Sequence, residues 1–140
     1  MRYPLDGVKV VSLAAYIAGA YSASLLADMG AQVVKVESHA GDGFRLIGGA
    51  FQGWNRGMRA MILDLKVQEG RDILYGLVAD ADVVVENYRP GVAKRLGADY
   101  DTLGAINPKI VYCSVTGYGL SGPQSEGPVF DPLLQAMSGA

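Results

Sequence analysis

Residues that could hold a ligand follow a short run of valines near the middle of the chain. Residues 83–85 are all β-branched, which predicts a strand buried on both faces. Asn87, Tyr88 and then Arg95 come after that strand, and open α/β sheets bind ligands where their strands end. The few cationic side chains here suit a small number of phosphates, and a solvated surface explains them equally well. This pattern favours a small-molecule site.

A second candidate site is the stretch of small residues from Ala14 to Ala20, which follows the first predicted strand. Small side chains allow a ligand or a neighbouring element to approach the backbone closely. Glu37 ends the second predicted strand, where a ribose-binding acid lies in dinucleotide-binding folds. The dinucleotide fingerprint needs three spaced glycines, whereas this turn has only Gly19. NAD binding is therefore disfavoured.

Composition excludes several other classes of function. The 140 residues carry a net charge of -2, so no basic excess exists to neutralise a nucleic-acid backbone. Cys113 is the single cysteine; it lies in an apolar run, which predicts a buried and unreactive thiol. The lone His39 disfavours a metal site. No run of the sequence reaches transmembrane length and no secretory pattern is present, so we expect a cytoplasmic protein that does not bind membranes.

Alternating strands and helices must position these residues. Apolar, β-branched runs predict strands at residues 8–13, 32–37, 62–66, 83–85 and 109–115. Helices are predicted at residues 21–29, 69–78, 91–96, 100–106 and 133–137. A glycine-rich loop over residues 38–58 is long enough to suggest a functional role. The predicted class is α/β, with a mostly parallel sheet, flanking helices and no linker that divides the chain.

The motifs, taken in order, resemble the N-terminal part of the family III coenzyme A transferases, the group that includes formyl-CoA transferase, carnitine CoA-transferase and the bile-acid-inducible proteins. The resemblance covers nearly the whole chain. It rests on PLDGVKVVSL, LADMGAQVVKVE, GDGFR, NRG, ILDLK, EGR, ADVVVENYRPGVAKRLG, NPKIVYCSVTGYGLSGP and FDPLLQAMSG. Each motif alone is weak, but together and at these spacings they are specific.

The resemblance implies an acyl-CoA enzyme with a Rossmann-like large domain and an interlocked dimer. Its substrates would be an acyl-CoA and a small carboxylic acid, with coenzyme A as the carrier and no metal. An aspartate of the family attacks the acyl thioester to form an acyl-aspartyl anhydride, which divides one difficult exchange into easier steps.

Site residues carry over from the family by position. The resemblance implies that the coenzyme A site is lined by Ala14, Ala15, Tyr16, Ile17, Ala18, Leu63, Asn87, Tyr88, Arg95 and Leu96. Asp131 matches an acidic residue that supports the attack without performing it. The residue pattern alone explains Asp131 equally well as a helix N-cap before Pro132.

The sequence departs from the family pattern at three places. Ile17 stands where formyl-CoA transferase has a glutamine, which disfavours oxalate or formate as a substrate. Met58 replaces a common basic residue and so removes one cationic contact. The nucleophilic aspartate of the family lies a few dozen residues beyond Ala140. We therefore expect residues 1–140 to be the N-terminal portion of the large domain, without the small domain or the C-terminal return, and inactive alone.

Two alternatives stay open. The α-methylacyl-CoA racemases share the N-terminal pattern, but they carry an acid/base histidine where this chain has Phe130, which cannot move a proton. The chain could also be a non-catalytic fragment that binds coenzyme A. In either case the uncovered sheet of an incomplete domain predicts a homodimer or association with a chain that supplies the missing half.

Overall fold

A computed structural model describes residues 3–127 and 129–139, and within them one parallel sheet forms the centre of the fold. Its strands are β1 (Lys9–Ser12), β2 (Gln32–Glu37), β3 (Arg59–Ile62), β4 (Val83–Glu86) and β5 (Val111–Ser114). Their order across the sheet is β3-β2-β1-β4-β5, and every neighbouring pair is parallel. The predicted α/β class with a parallel sheet is confirmed.

Helices connect these strands. They are α1 (Ala18–Asp28), α2 (Ala50–Asn55), α3 (Gln68–Ala79), α4 (Val92–Arg95), α5 (Tyr100–Ile106) and α6 (Asp131–Ser138), with a 3₁₀ turn at Gly43–Leu46. The loop predicted over residues 38–58 therefore contains the 3₁₀ turn and α2. No helix of the described residues combines the length and the apolar character that crossing a bilayer requires.

Two apolar cores, one on each face of the sheet, hold the helices in place. Alternate residues of a strand point to opposite faces. Val84 of β4 packs with Leu74 of α3 and Leu103 of α5, all 0% exposed, while Val85 packs on the other face with Ala23 of α1. Each fully buried aliphatic side chain stabilises the fold by about 1.5–3 kcal/mol. Both faces of the central strands are covered, as the valine run predicts.

The third strand lies earlier in the chain than the sequence predicts. The expected strand over residues 62–66 is observed as β3, which pairs Ile62 with Glu37 and ends there. The amide of Leu63 still donates to the carbonyl oxygen of Glu37 at 2.9 Å, and the chain then turns towards α3. An edge strand needs no continuous apolar run, so the exposed sequence RAMI gives little warning of β3.

Cys113 is exposed, which contradicts the predicted buried thiol. Residues of β5 alternate between exposed and half-buried because β5 is the edge strand beside β4. An apolar run therefore does not guarantee burial when no helix covers one face of its strand.

Candidate functional site

A cleft of about 180 Å³ opens at the carboxyl edge of the sheet. It is bounded by the residues that end or follow β1, β2, β3 and β4. Five of the predicted site residues line it, namely Ala14, Ala15, Leu63, Tyr88 and Leu96. The sheet order makes β1 and β4 neighbours although they are far apart in the chain, so the cleft lies at the topological switch point, where open α/β sheets hold ligands.

The side chain of Asn87 connects the ends of β1 and β4 at this switch point. Its Oδ1 accepts a hydrogen bond from the amide of Ala15 at 2.9 Å, and its Nδ2 donates to the carbonyl oxygen of Ala15 at 2.8 Å. One side-chain amide thus satisfies both backbone polar groups of a residue 72 positions away. Asn87 therefore shapes the turn after β1 through direct hydrogen bonds to its backbone.

The same turn is held from β2 by a buried ion pair. Lys35 Nζ lies 2.8 Å from Asp42 Oδ2, and the two side chains are 1% and 0% exposed. Lys35 also donates to the carbonyl oxygen of Ala14 at 2.8 Å, and Asp42 Oδ2 accepts from the amide of Tyr16 at 3.1 Å. Buried charges need such partners, because desolvation of an isolated ion costs several kcal/mol.

Tyr16 has an unusual backbone at this point. Its φ of 61° makes it the one non-glycine residue with a positive φ among the described residues. The left-handed conformation costs a residue with a side chain about 1–3 kcal/mol, and such positions cluster at functional sites. Its ring packs edge-on against Phe44 and lies over Gly43, where a Cβ would come within 3.0 Å of the ring.

A second ion pair braces the segment that carries Asp42. Arg45 binds Glu37 through two hydrogen bonds, of 2.7 and 2.5 Å. Burial would raise the pKa of Glu37, but the hydrogen bonds from Arg45 and the Asp42 amide, with the charges of Arg45 and Lys35, together lower it. Glu37 is therefore ionised at neutral pH and neutralised by its partner, which agrees with the rejection of a ribose-binding role.

Tyr88 forms part of the apolar wall of the cleft and packs against the α3 side of the core. Burial, together with the nearby charge of Glu86, raises the pKa of Tyr88 to about 12. The phenol is therefore neutral at physiological pH. A neutral phenol can pack against the flat or aliphatic parts of a ligand, and its hydroxyl group can donate or accept a hydrogen bond.

The other predicted residues lie beside the cleft or further away. Tyr16 and Ile17 continue the turn after Ala15, Ala18 begins α1, and all three are exposed. Arg95 ends α4 with an exposed side chain. Asp131 is exposed at the start of α6 and accepts a hydrogen bond from Gln135 Nε2 at 2.6 Å. The N-cap is Phe130, so the interpretation of Asp131 as the cap is wrong.

Most charged residues of the cleft are not predicted by the sequence motifs. Those that line it, besides Glu37, are Lys35, Asp42, Asp64 and Lys66. Lys66 brings an exposed ammonium group to the cleft, and Asp64 Oδ1 accepts from its amide at 3.0 Å. A lysine at the centre of an apolar strand is the one sequence feature that indicates a buried ion pair, because a charged side chain buried there requires a partner.

Comparison with known proteins points to one family. The family model described as CoA-transferase family III matches residues 5–140. The chain is 41% identical to a succinate–glutarate CoA-transferase of Agrobacterium fabrum, an alignment that covers 97% of the chain and 38% of that protein. It is 39% identical to an acetyl-CoA:oxalate CoA-transferase of Acetobacter aceti, with 97% and 37% covered.

A solved structure agrees with these relatives. The chain superposes on a CaiB/BaiF-family protein of Brucella suis with a TM-score of 0.95 and 42% identity, which covers 99% of the chain and 40% of that protein. The chain therefore spans less than half the length of the relatives that it matches.

Proposed function

The chain belongs to CoA-transferase family III, and on that premise we propose that it supplies the coenzyme A-holding part of an enzyme that moves coenzyme A between an acyl-CoA and a small carboxylic acid. The observation that carries the proposal is the cleft at the switch point, where five of the residues implied by the family resemblance line one cavity. Dicarboxylic acids are the first candidates for the acceptor, since one relative is named for succinate and glutarate.

The chemistry of the cleft matches the chemistry of coenzyme A. The pantetheine arm is long and mostly aliphatic, and Leu63, Tyr88 and Leu96 give the cleft an apolar wall. The nucleotide end carries several phosphates, for which Lys66 at the cleft and Arg95 on α4 offer exposed cationic groups. A guanidinium can bind a phosphate through two parallel hydrogen bonds, and an ammonium group acts as a point charge.

Catalysis in this proposal belongs to an aspartate beyond residue 140. That carboxylate attacks the thioester carbonyl, coenzyme A leaves as its thiolate, and an acyl-aspartyl anhydride results. The thiolate then attacks the aspartyl carbonyl, which releases the first acid and leaves an aspartyl-CoA thioester. The incoming carboxylate displaces the thiolate to form a second anhydride, and attack of the thiolate on its acyl carbonyl gives the new acyl-CoA and restores the aspartate. Within residues 1–140, the N-terminal portion of a Rossmann-like domain, Asp131 has only a supporting role. The resemblance extends the proposal to a homodimer, which the exposed apolar side chains of Phe130, Leu133 and Met137 support.

Isothermal calorimetry tests the binding part of the proposal. The 140-residue chain should bind coenzyme A with micromolar affinity, and Arg95→Gln or Lys66→Gln should weaken it about tenfold, because each removes one charged contact to phosphate. Arg59→Gln is the matched control, since Arg59 is exposed at the amino end of β3. A folded chain that does not bind, or an equal loss in the control, contradicts the proposal.

Product analysis tests the catalytic part. The 140-residue chain should form no glutaryl-CoA from succinyl-CoA and glutarate, whereas a longer protein that contains it should. Turnover by the 140 residues alone contradicts the position of the nucleophile. Exchange of the α-proton of a branched acyl-CoA for deuterium, without transfer to an acid, would instead support a racemase.

A further inference from the structure

Four consecutive backbone groups of the turn after β1 are held by side chains from elsewhere in the chain. The carbonyl oxygen of Ala14 binds Lys35, both polar groups of Ala15 bind Asn87, and the amide of Tyr16 binds Asp42. Elements that end at a ligand site usually leave such groups to the ligand or to solvent. Here the turn makes its hydrogen bonds within the protein before any ligand arrives.

We propose that Lys35 and Asp42 are positioning residues, which fix the Ala14–Tyr16 turn against the cleft without contacting coenzyme A themselves. The inference rests on the proposed function for the identity of the ligand. Both residues border the cleft, but their side chains are at most 1% exposed and lie behind its wall, so they have almost no surface to offer to a ligand. Their contacts are instead directed at the turn that forms one wall of the cleft.

Asp42 connects three pieces of backbone. Its Oδ2 accepts from Lys35 and from the amide of Tyr16, and its Oδ1 accepts from the amide of Phe44 at 2.9 Å. Its own amide donates to Glu37 Oε2 at 2.9 Å. The carboxylate therefore ties the turn to the end of β2 and to the 3₁₀ segment, whose Phe44 ring packs on Tyr16.

The left-handed backbone of Tyr16 explains why such a connection is needed. A tyrosine adopts this conformation only when its surroundings impose it, and the hydrogen bond to Asp42 acts directly on the amide of that residue. A buried ion pair contributes little net stability compared with apolar residues of equal size. Its distinctive effect is geometric, since charged hydrogen bonds are short and directional.

Two variants distinguish a role of the Lys35–Asp42 pair in positioning the turn from a contribution to the stability of the fold. Asp42→Leu leaves the charge of Lys35 buried without its counter-ion and is expected to destabilise the fold. The double variant Lys35→Met/Asp42→Leu leaves no unpaired buried charge, so it should recover much of that stability, and neither variant offers an acceptor to the amide of Tyr16. If the pair positions the turn, the double variant should still bind coenzyme A about tenfold more weakly than the wild type, because it lacks the hydrogen bonds that preorganise the cleft.

Amide hydrogen exchange provides a readout that does not depend on the ligand. In both variants the amide of Tyr16 should exchange about tenfold faster or more, whereas the amides of Val11 and Val84 in the neighbouring strands should keep their protection in the double variant. Val33→Ala is the matched control. Val33 lies on the same strand and the same face as Lys35, and its truncation should lower stability without changing Tyr16 exchange or the dissociation constant.

Different results would contradict the positioning role of Lys35 and Asp42 and the proposed binding of coenzyme A. Wild-type protection and affinity in the double variant overturn the positioning role, as does faster Tyr16 exchange with unchanged affinity. A wild-type chain that fails to bind coenzyme A overturns the proposed function and, with it, the assignment of a ligand to the turn. Tyr16 exchange in the ligand-free chain then still decides whether Lys35 and Asp42 hold the turn.

Discussion

The segment after β2, residues 38–47, and the segment after β5, residues 115–127 with 129–130, are fixed in different ways. The first is held by ion pairs to β2, in which Asp42 binds Lys35 and Arg45 binds Glu37, and by the hydrogen bond that Asp42 accepts from the amide of Tyr16. The second makes mostly local hydrogen bonds, such as that from the amide of Gly127 to the carbonyl oxygen of Gln124. Both segments expose large apolar side chains, such as Leu46 at 92% in the first and Phe130 at 70% in the second, so the difference lies in the polar contacts.

The difference shows which part of the proposed site is formed in advance. The charged side chains of Asp42 and Arg45 have their partners within the described residues, so we expect this wall of the cleft to be formed before a ligand binds. The β5 side carries Asp131 on a helix whose described residues include no buried side chain. In the proposed enzyme, the segment after β2 therefore holds the turn after β1 in place, while Leu63, Tyr88 and Leu96 form the wall that meets coenzyme A.

Removal of the lysine should have the largest effect and tests whether the two segments differ as described. Lys35→Met leaves the Asp42 carboxylate buried without a counter-ion, and we expect the free energy of unfolding to fall by about 3–5 kcal/mol. Denaturant titration measures the loss. Asp131→Asn on the β5 side is the control and should change stability by less than about 0.5 kcal/mol, because Asp131 is exposed. Similar losses in both variants would remove the distinction between the segments.

Replacing a glycine by alanine should lower the stability by less than the loss of Lys35 does. The loss should also differ between Gly19 in α1 and Gly117 after β5. A Cβ at Gly19 would lie 2.6 Å from the Cβ of Ala14 and 3.2 Å from that of Asn87, neither of which can rotate away. We expect Gly19→Ala to cost about 1–3 kcal/mol, since overpacking outweighs the gain in helix propensity. Thermal unfolding measures the cost.

Gly117→Ala is the comparison on the β5 side. Its Cβ would lie 2.4 Å from Val129, which is nominally closer, but the contact is with a side chain on a more exposed segment that can shift. The loss of stability should therefore be smaller than for Gly19→Ala. The reverse order would mean that the segment after β5 resists added volume more than the contact of α1 with Ala14 and Asn87 does.

Alkaline pH should have the smallest effect and reports on the packed wall at Tyr88. The pKa of Tyr88 is raised to about 12 in the folded chain, from an unfolded value near 10, so the unfolded chain loses the proton first. The stabilisation is complete below pH 10 and is lost between about pH 10 and 12, with a slope of at most about 1.4 kcal/mol per pH unit. Tyr88→Phe lacks this contribution, so between pH 8 and pH 11 its free energy of unfolding should fall by about 1 kcal/mol less than that of the wild type.

Unfolding free energies of the wild type and Tyr88→Phe at both pH values provide the measurement. At pH 8 the phenol is protonated in both states, so the difference there reports only the loss of the hydroxyl group. Parallel profiles for the two proteins would show that Tyr88 is as hydrated in the folded chain as in the unfolded chain.

Much of the fold could be predicted from local patterns. Runs of valine predict β1, β2 and β4 because a strand that is covered on both faces must be apolar throughout. The edge strands were harder to predict. β3 shares only Ile62 with the run that predicts it, and β5 exposes Cys113, since one face of an edge strand requires no apolar partner.

The candidate site could be predicted only in part. Tyr88 and Leu63 line the cleft, as the positions implied by the family resemblance suggest, whereas Asp131 and Arg95 do not. The position of Lys35 in an apolar strand is the one local sign of its burial, but the local sequence does not identify its partner, and a lysine in a strand is usually exposed. Its burial follows from the covering segment that carries Asp42, seven residues later.

The sequence by itself determines the family, the parallel α/β class and the approximate places where strands end. It does so because burial on both faces selects β-branched residues, and because a motif order maintained along the chain is specific. The tertiary structure alone decides which polar groups meet at the carboxyl edge. Ala15 binds Asn87 across 72 residues, and Tyr16 binds Asp42 across 26. Such contacts depend on the order of strands in the sheet, which places distant segments side by side.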